Sequence, residues 1–388
     1  MHIFFPAIVS LNIQSTDVQI IRRKQILVAP LDWGLGHAAR SSRIISLLRQ
    51  AGADVCVAGS GQSLTLLEKE FPGIRTFKLP GYRVSYVRSD RQTAKIITQI
   101  PRLIRVIRSE NQTIRQILRS HPFDGIISDN RYGVYVRQVP SVFICHQLSP
   151  MLPKSWRWLE PAVANLHQKF LRPFDQIWIP DDREIRLSGR LSNLQGVEDR
   201  ILFTGPLSRF QSLSGLPVDY GHPVLNENPP EITVILSGPE PQRTLLEEMI
   251  RKQAAAVSRT IWLIRGQTQE NEITRHNNLI SIPHLSTPVM AKAMRNSHTL
   301  ISRSGYSSLM DYHALGIKNT VLVPTPGQTE QEYLAETLSN AKGAVFISQE
   351  NFSLREAGKV KIALSDEKIQ EIEKKQEALI GNYLANLL

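Results

Sequence analysis

His37 stands in the run Asp32-Trp33-Gly34-Leu35-Gly36-His37-Ala38-Ala39-Arg40, where two glycines permit a tight turn and the imidazole arrives at the head of a helix. An unperturbed imidazole, with a pKa near ~6.5, is mostly neutral at pH 7 and can take a proton from a hydroxyl. A histidine here equally serves as a helix cap or a positioning group, since a helix N-terminus disfavours the imidazolium that proton transfer creates. Two further clusters follow apolar runs: Ser128-Asp129-Asn130-Arg131-Tyr132-Gly133 and His146-Gln147-Leu148-Ser149. Asp129 can act as the base itself or orient His37. Asn130, Arg131 and His146 can hold a hydroxyl or a phosphate, while each taken alone also fits a solvated loop with local turn bonding.

The second half carries a different set. Thr299-Leu300-Ile301-Ser302 reads as a strand and runs into Arg303, then Ser304-Gly305, a small turn where backbone can approach a ligand. Ser304 is the expected N-cap of the helix that follows, Leu309, His313 and Leu315 its inward face, and Gly316 its stop. Free amides at that helix start make an anion site. Asp311, two turns along, can accept hydrogen bonds from two neighbouring hydroxyls of a ribose. Gln328-Thr329-Glu330-Gln331-Glu332 reads as a loop suited to sugar hydroxyls. In Ser237-Gly238-Pro239-Glu240-Pro241-Gln242-Arg243, small residues between a strand and a helix admit a diphosphate, with Arg243 near enough to neutralise it.

These clusters need a scaffold that brings strand ends together. Apolar runs at 26–29, 55–58, 125–128, 142–145, 176–179 and 201–203 alternate with helical patterns such as 38–50, and the alternation restarts at 232–236, 261–264, 279–282, 299–302 and 321–324. That implies an α/β fold with two Rossmann-like domains, each on a parallel sheet, and a cleft between them. A turn-rich stretch at 208–230 reads as the linker, so the boundary is placed between 1–206 and 207–388. Residues 365–388 read as a terminal helix.

The chain has 388 residues, 41% hydrophobic, enough for two cores. No run approaches the ~18 apolar residues of a membrane span. Residues 1–16 carry an apolar patch without a basic start or a small-residue cleavage site, and read as an ordinary leader, not a secretion signal. Cys56 and Cys145 sit in strand-like runs as buried, reduced thiols, so the expected compartment is the cytoplasm. Residues 1–205 hold 28 Lys/Arg against 16 Asp/Glu, or +12, and residues 206–388 hold 18 against 19, or −1. No nucleic-acid module accompanies the basic half, so no nucleic-acid partner is expected. An anionic membrane or a phosphate-bearing acceptor fits better. In residues 94–119, Ile96, Ile100, Leu103, Ile107, Ile114 and Leu118 recur at helical spacing, with Lys95, Arg102, Arg105, Arg108, Arg115 and Arg119 mostly on other faces and Pro101 at a start or kink.

The Gly-Leu-Gly-His loop, the 237–243 loop and the unit from Arg303-Ser304-Gly305 through Gln331 together resemble the GT-B glycosyltransferases of the MurG-like family 28 type, which use UDP-N-acetylglucosamine. The resemblance covers most of the chain in architecture but is specific only at those three places. Asp311 stands where the family has Glu, and Gln331-Glu332 where it has a Gln pair. The resemblance implies a metal-independent, cofactor-free, inverting hexosyltransferase moving a sugar from a UDP-sugar to an acceptor hydroxyl, on a glycan or lipid-linked acceptor. It implies donor contacts at Gly36, Arg209, Ser237, Gly238, Arg243, Leu285, Ser304, Gly305, Asp311, Gln328, Gln331 and Glu332, with Arg209 near the phosphates and residues 282–285 near uracil. It also implies a terminal helix crossing back to the first domain and peripheral docking on the inner face of the cell membrane. A sugar-nucleotide 2-epimerase of the same fold, and a non-catalytic sugar-nucleotide-binding subunit, are the alternatives.

Overall fold

Strands buried on both faces read as near-continuous apolar runs, and the computed structural model builds two parallel sheets from them. It describes residues 22–33, 35–82, 92–149, 151–152, 154–184, 186–193, 197–211, 213, 216–238, 240–267, 271–317, 319–340, 344–357 and 369–387. The expectations for residues 1–21, Gly34, Pro239, 358–368 and the side chains of Lys95, Ile96, Ile100, Ile369 and Ile372 lie outside the described residues.

The first half runs β1 (Gln25–Pro30), α1 (Leu35–Gln50), β2 (Asp54–Gly59), α2 (Gly61–Glu70), β3 (Arg75–Lys78), α3 (Gln92–Ser120), β4 (Gly125–Asp129), β5 (Ser141–Ile144), α4 (Glu160–Leu171), β6 (Gln176–Ile179) and β7 (Ile201–Phe203). The second runs α5 (Pro223–Glu227), β8 (Ile232–Ile235), α6 (Gln242–Ala254), β9 (Ile261–Ile264), β10 (Thr274–His276), β11 (Leu279–Ile282), α7 (Thr287–Asn296), β12 (Thr299–Ser302), α8 (Tyr306–Leu315), β13 (Thr320–Leu322), α9 (Thr329–Asn340), β14 (Val345–Phe346), α10 (Leu354–Ala357) and α11 (Ile369–Ala385). The first sheet has the order β3-β2-β1-β4-β5-β6-β7 and the second β10-β11-β9-β8-β12-β13-β14. All pairs are parallel except β10 with β11, an antiparallel edge. Each order reverses once, between β1 and β4 and between β8 and β12, and crevices at such reversals are where open α/β sheets bind ligands.

Local sequence explains several boundaries and corrects others. Gly316 ends α8 at φ 63°, the left-handed region that a side chain disfavours. Ser304 is not the N-cap: Gly305 holds that position, and the Ser304 hydroxyl donates instead to the Gln331 carbonyl at 2.7 Å. Leu309 and Leu315 are buried as expected, whereas His313 is only partly so. Residues 329–332 form the first turn of α9, not a loop. The stretch expected as a free linker is packed: Leu207, Phe210, Tyr220 and Leu225 are buried and α5 forms within it. Helix α11 lies on the first sheet's side, where Gln376 donates to the Pro206 carbonyl at 2.8 Å, accepts from Arg43 at 3.0 Å, and Tyr383 packs edge-on to Trp178. Both cysteines are free and buried, and burial pushes the Cys145 thiol up to about 12, which keeps it unreactive.

Candidate active site

The end of β1 delivers the glycine loop and the end of β4 delivers Asp129, so the first sheet's reversal brings His37 and Asp129 together. His37 Nδ1 lies 2.9 Å from Asp129 Oδ1. Asp129 is fully buried and held from three more directions: Arg40 Nε donates to Oδ2 at 2.9 Å, Arg40 Nη2 donates to Oδ1, and Ser41 Oγ donates to Oδ2 at 3.1 Å. Burial opposes ionisation of this carboxyl, but Arg40 and His37 outweigh it and hold it far below the usual carboxylate range. An anionic carboxylate can only accept, so the contact with His37 is a hydrogen bond when Nδ1 carries the proton. That tautomer leaves Nε2 with the free lone pair, and among the described residues no hydrogen bond uses it. Burial pushes the imidazole below 6.5, against the pull of Asp129 and with help from Arg40 and His146. The ring is therefore neutral at pH 7.

The second half closes over this cluster. Tyr306, first residue of α8, stacks on His146 with ring centroids 4.2 Å apart and planes 2° from parallel, and its hydroxyl donates to the Pro180 carbonyl at 2.6 Å. His146 Nε2 meets Glu330 Oε1 of α9 at 2.8 Å, and Thr329 Oγ1 donates to the Met151 carbonyl at 2.9 Å. Burial raises the Glu330 carboxyl, but His146, His37 and Arg40 outweigh it and hold it below the ordinary value. At Gly36 the halves come close: a Cβ there would stand 2.7 Å from Ser307 Oγ.

Asn130 and Arg131, expected beside Asp129, part ways. Asn130 adopts φ 60°, and its buried Oδ1 has no partner. Arg131 is wholly buried and turned away: it donates to Glu110 Oε1, Ser60 Oγ and the Pro30 carbonyl at 2.5, 2.7 and 2.7 Å. It braces the loop carrying Asp32 against α3 and is not a free cation in the cleft, because Glu110 on α3 supplies its counter-charge.

Around the second sheet's reversal, two groups of expected donor residues separate. Asp311 accepts from Ser208 Oγ at 2.6 Å near Arg209, and burial pushes its carboxyl up to about 6 despite both. Arg209 lies 3.9 Å from Glu70 across the cleft, close enough to His284 to lower that imidazole together with burial. Leu285, next in chain, is buried. The other group is the turn at Ser237-Gly238, where Gly238 has φ 95°. Arg243 is engaged beside it, donating to Glu240 and Glu247 at 2.5 and 3.2 Å, so its charge is already balanced. Gln331 braces the neighbouring turn, accepting from the Thr325 amide at 2.9 Å and bonding to Gln328. Glu332 is exposed and accepts from the Gly327 amide.

Sequence reasoning assigned no role to Arg40, placed Glu330 only within the run suited to sugar hydroxyls, and used Arg303 only as the start of the Arg-Ser-Gly motif. Arg303 is buried and donates to the carbonyls of Val323, Pro324 and Gln242 at 3.1, 3.0 and 2.8 Å. Burial lowers the guanidinium to about 10. Its Nε, with Gln242 Oε1 and Thr325 Oγ1, belongs to the buried polar atoms left without partners, and a Cβ at Gly238 would meet that same Thr325 oxygen at 3.9 Å. Buried polar atoms are ordinarily satisfied, so these three unpaired atoms stand out. The signal in sequence was the Arg-Ser-Gly strand end itself.

Two doubly wound sheets facing each other across a cleft, with a charged cluster between their reversals, define the GT-B class. Residues 234–383 match the model for the glycosyltransferase family 28 C-terminal domain, so the second half carries a glycosyltransferase domain of that type within a GT-B fold. Among solved structures, the glycotransferase of kitacinnamycin superposes with a TM-score of 0.60 at 16% identity, over 95% of this chain and 100% of that one. SnogD from Streptomyces nogalater gives 0.59 at 14% over 94% and 98%, and MurG of Acinetobacter baumannii 0.50 at 13% over 93% of both. At such identities the likeness speaks for the fold. No curated protein sequence matches the chain.

Proposed function

We propose that this glycosyltransferase is inverting and metal-independent, moving a hexose from a UDP-sugar to an acceptor hydroxyl with His37 as the general base. The observation that carries this is the 2.9 Å His37–Asp129 contact at the cleft, which leaves a neutral Nε2 ready to accept the hydroxyl proton as that oxygen attacks C1 of the sugar. Asp129 orients the ring and balances the imidazolium that forms. Residues 1–206 take the acceptor, with Asn130 and His146 beside the base, and residues 207–388 take the donor.

On the donor side, Asp311 meets the ribose hydroxyls, with Arg209 beside it and Leu285 toward the base. Ser237, Gly238, Ser304, Gly305 and the buried Arg303 face the diphosphate, and Gln328, Gln331 and Glu332 lie toward the sugar. Arg303 has only carbonyl partners among the described residues, so a diphosphate supplies the anion its buried charge lacks. N-acetylglucosamine is the first donor sugar to test, because the family likeness favours it.

The acceptor is lipid-linked and reached from an anionic membrane surface on the cytoplasmic side. Supporting this, Arg102, Arg105, Arg108, Arg115 and Arg119 of α3 are exposed, while Ile114 is buried and Ile117 and Leu118 pack in the core beneath. No described helix is long and apolar enough to cross a membrane.

The deciding experiment measures UDP release from UDP-N-acetylglucosamine with and without a lipid extract. Release that requires the extract supports transfer. Conversion of the donor to its 2-epimer without an acceptor points to the epimerase, and binding with neither release nor epimerisation to a non-catalytic subunit.

A further inference from the structure

Arg40 occupies a position that a simple His–Asp pair does not require. Its guanidinium is wholly buried on the first turns of α1 and reaches three groups at once: both oxygens of Asp129, His37 Nδ1 at 2.9 Å, and His146 Nδ1 at 3.4 Å. Arginine cannot accept a hydrogen bond or lose its proton in this setting. Whatever it faces must accept or simply share a third partner.

The two histidines then resolve differently. At His37, Nδ1 and Arg40 Nη2 converge on the same Asp129 oxygen; Nδ1 is the donor there, and its nearness to Nη2 follows from the shared acceptor. At His146, Nδ1 faces Arg40 Nη1 alone and accepts, so Nε2 carries the proton and donates to Glu330 of α9. We infer that Arg40 is a positioning residue that sets opposite tautomers in His37 and His146, arming the base on one side and latching the second half of the molecule on the other. The inference deepens the proposed function and rests on His37 being the base.

Two consequences follow from the charges present. The groups facing His37 are Asp129 from β4, Arg40 from α1 and His146 from the loop after β5; those facing Glu330 are His146, His37 and Arg40; Cys145 and Tyr306 also border Arg40. With the guanidinium present, the Asp129 charge is shared, and the imidazolium gains less from it than in an isolated pair. His37 is thereby kept neutral into mildly acidic solution. The His146–Glu330 contact forms only when the halves are closed, so the same arginine joins closure to the tautomer state of the site.

Nitrogen-15 histidine spectra of the ligand-free wild-type protein read the tautomers directly, and the protein has 10 histidines to assign. The expected result is Nδ1–H at His37 and Nε2–H at His146; the reverse at either ring overturns the inference. The second measurement is the pH profile of kcat for UDP release at saturating UDP-N-acetylglucosamine, with lipid extract, in R40Q and R40K. Loss of the cation in R40Q moves the acid limb up by about one pH unit or more, since Asp129 then serves His37 alone, while R40K stays near wild type. An unchanged limb in an active R40Q refutes the role of Arg40. If R40Q fails to fold, the wild-type spectra and R40K still decide. A His37→Gln variant with full turnover would instead remove the base assignment, leaving the tautomer result to stand or fall by its own spectra.

Discussion

Replacing Asp311 by Asn tests the donor side through stability as well as binding. Burial pushes this carboxyl from 3.8 up to about 6, against the opposing pull of Arg209 and Ser208. A folded-state value above the unfolded one means that the native protein binds a proton more tightly, so the group destabilises the fold at pH values above about 6. The penalty fades as pH falls toward 3.8. A shift of about two pH units corresponds to about 3 kcal/mol at pH 8, an upper figure. Asn keeps an oxygen for the Ser208 hydroxyl and removes the charge. D311N should therefore unfold at a higher temperature than wild type at pH 8, by several degrees at ~2–4 °C per kcal/mol, and the gap should close between pH 6 and 4. Binding moves the other way. Two ribose hydroxyls donating to a carboxylate lose a charge-assisted partner, so UDP-sugar affinity should fall by about 1.5–3 kcal/mol. Wild-type affinity should rise from pH 5 to 7 as the carboxylate forms, and that rise should be absent in D311N. Calorimetric titration and thermal melts at pH 5, 6, 7 and 8 read both effects. An equal or lower melting temperature at pH 8 would refute the burial argument, and unchanged donor affinity would refute the ribose assignment.

His37→Gln should lower kcat by about 100- to 10,000-fold with donor binding close to wild type, the pattern of a group acting in the transition state; equal turnover moves the proton transfer elsewhere. In wild type, kcat at saturating donor should stay flat through neutral pH and fall only below 6.5, because the imidazole sits under that value. Gly36→Ala places a Cβ 2.7 Å from Ser307 Oγ and 3.1 Å from its Cβ. Activity should drop about 5- to 100-fold through impaired closure, the scale of 1–3 kcal/mol of overpacking, and a second change, Ser307→Gly, should restore it. Changing Arg102, Arg105, Arg108 and Arg115 to Gln should abolish sedimentation with anionic vesicles at low salt, since each basic residue contributes about 1 kcal/mol at such a surface. Equal sedimentation of mutant and wild type, or none by either, favours a soluble acceptor.

The amino-acid order alone determined the alternation of strands and helices, because central parallel strands must be apolar on both faces and therefore stand out as runs such as those in β1, β4, β8 and β12. It also located the glycine loop bearing His37 and the stop at Gly316, since backbone turns impose local demands that only a few residues meet. Three of the four edge strands escaped notice: β3, β10 and β14 carry half-exposed or exposed residues and no continuous apolar run, whereas the edge strand β7 was legible at 201–203. Partner choice escaped for a deeper reason. Arg40 reaches a carboxylate 89 residues away, and His146 one 184 residues away, and nothing in local spacing records which strand ends the two sheet reversals will bring face to face. The same holds for Arg131, which in its loop resembles a solvated cation until α3 packs Glu110 beneath it. Charge and residue type announced that a site existed; the burial and pairing that separate a brace from a ligand-facing group arose only in the folded structure, because the cost of an unpaired buried charge is set by tertiary surroundings.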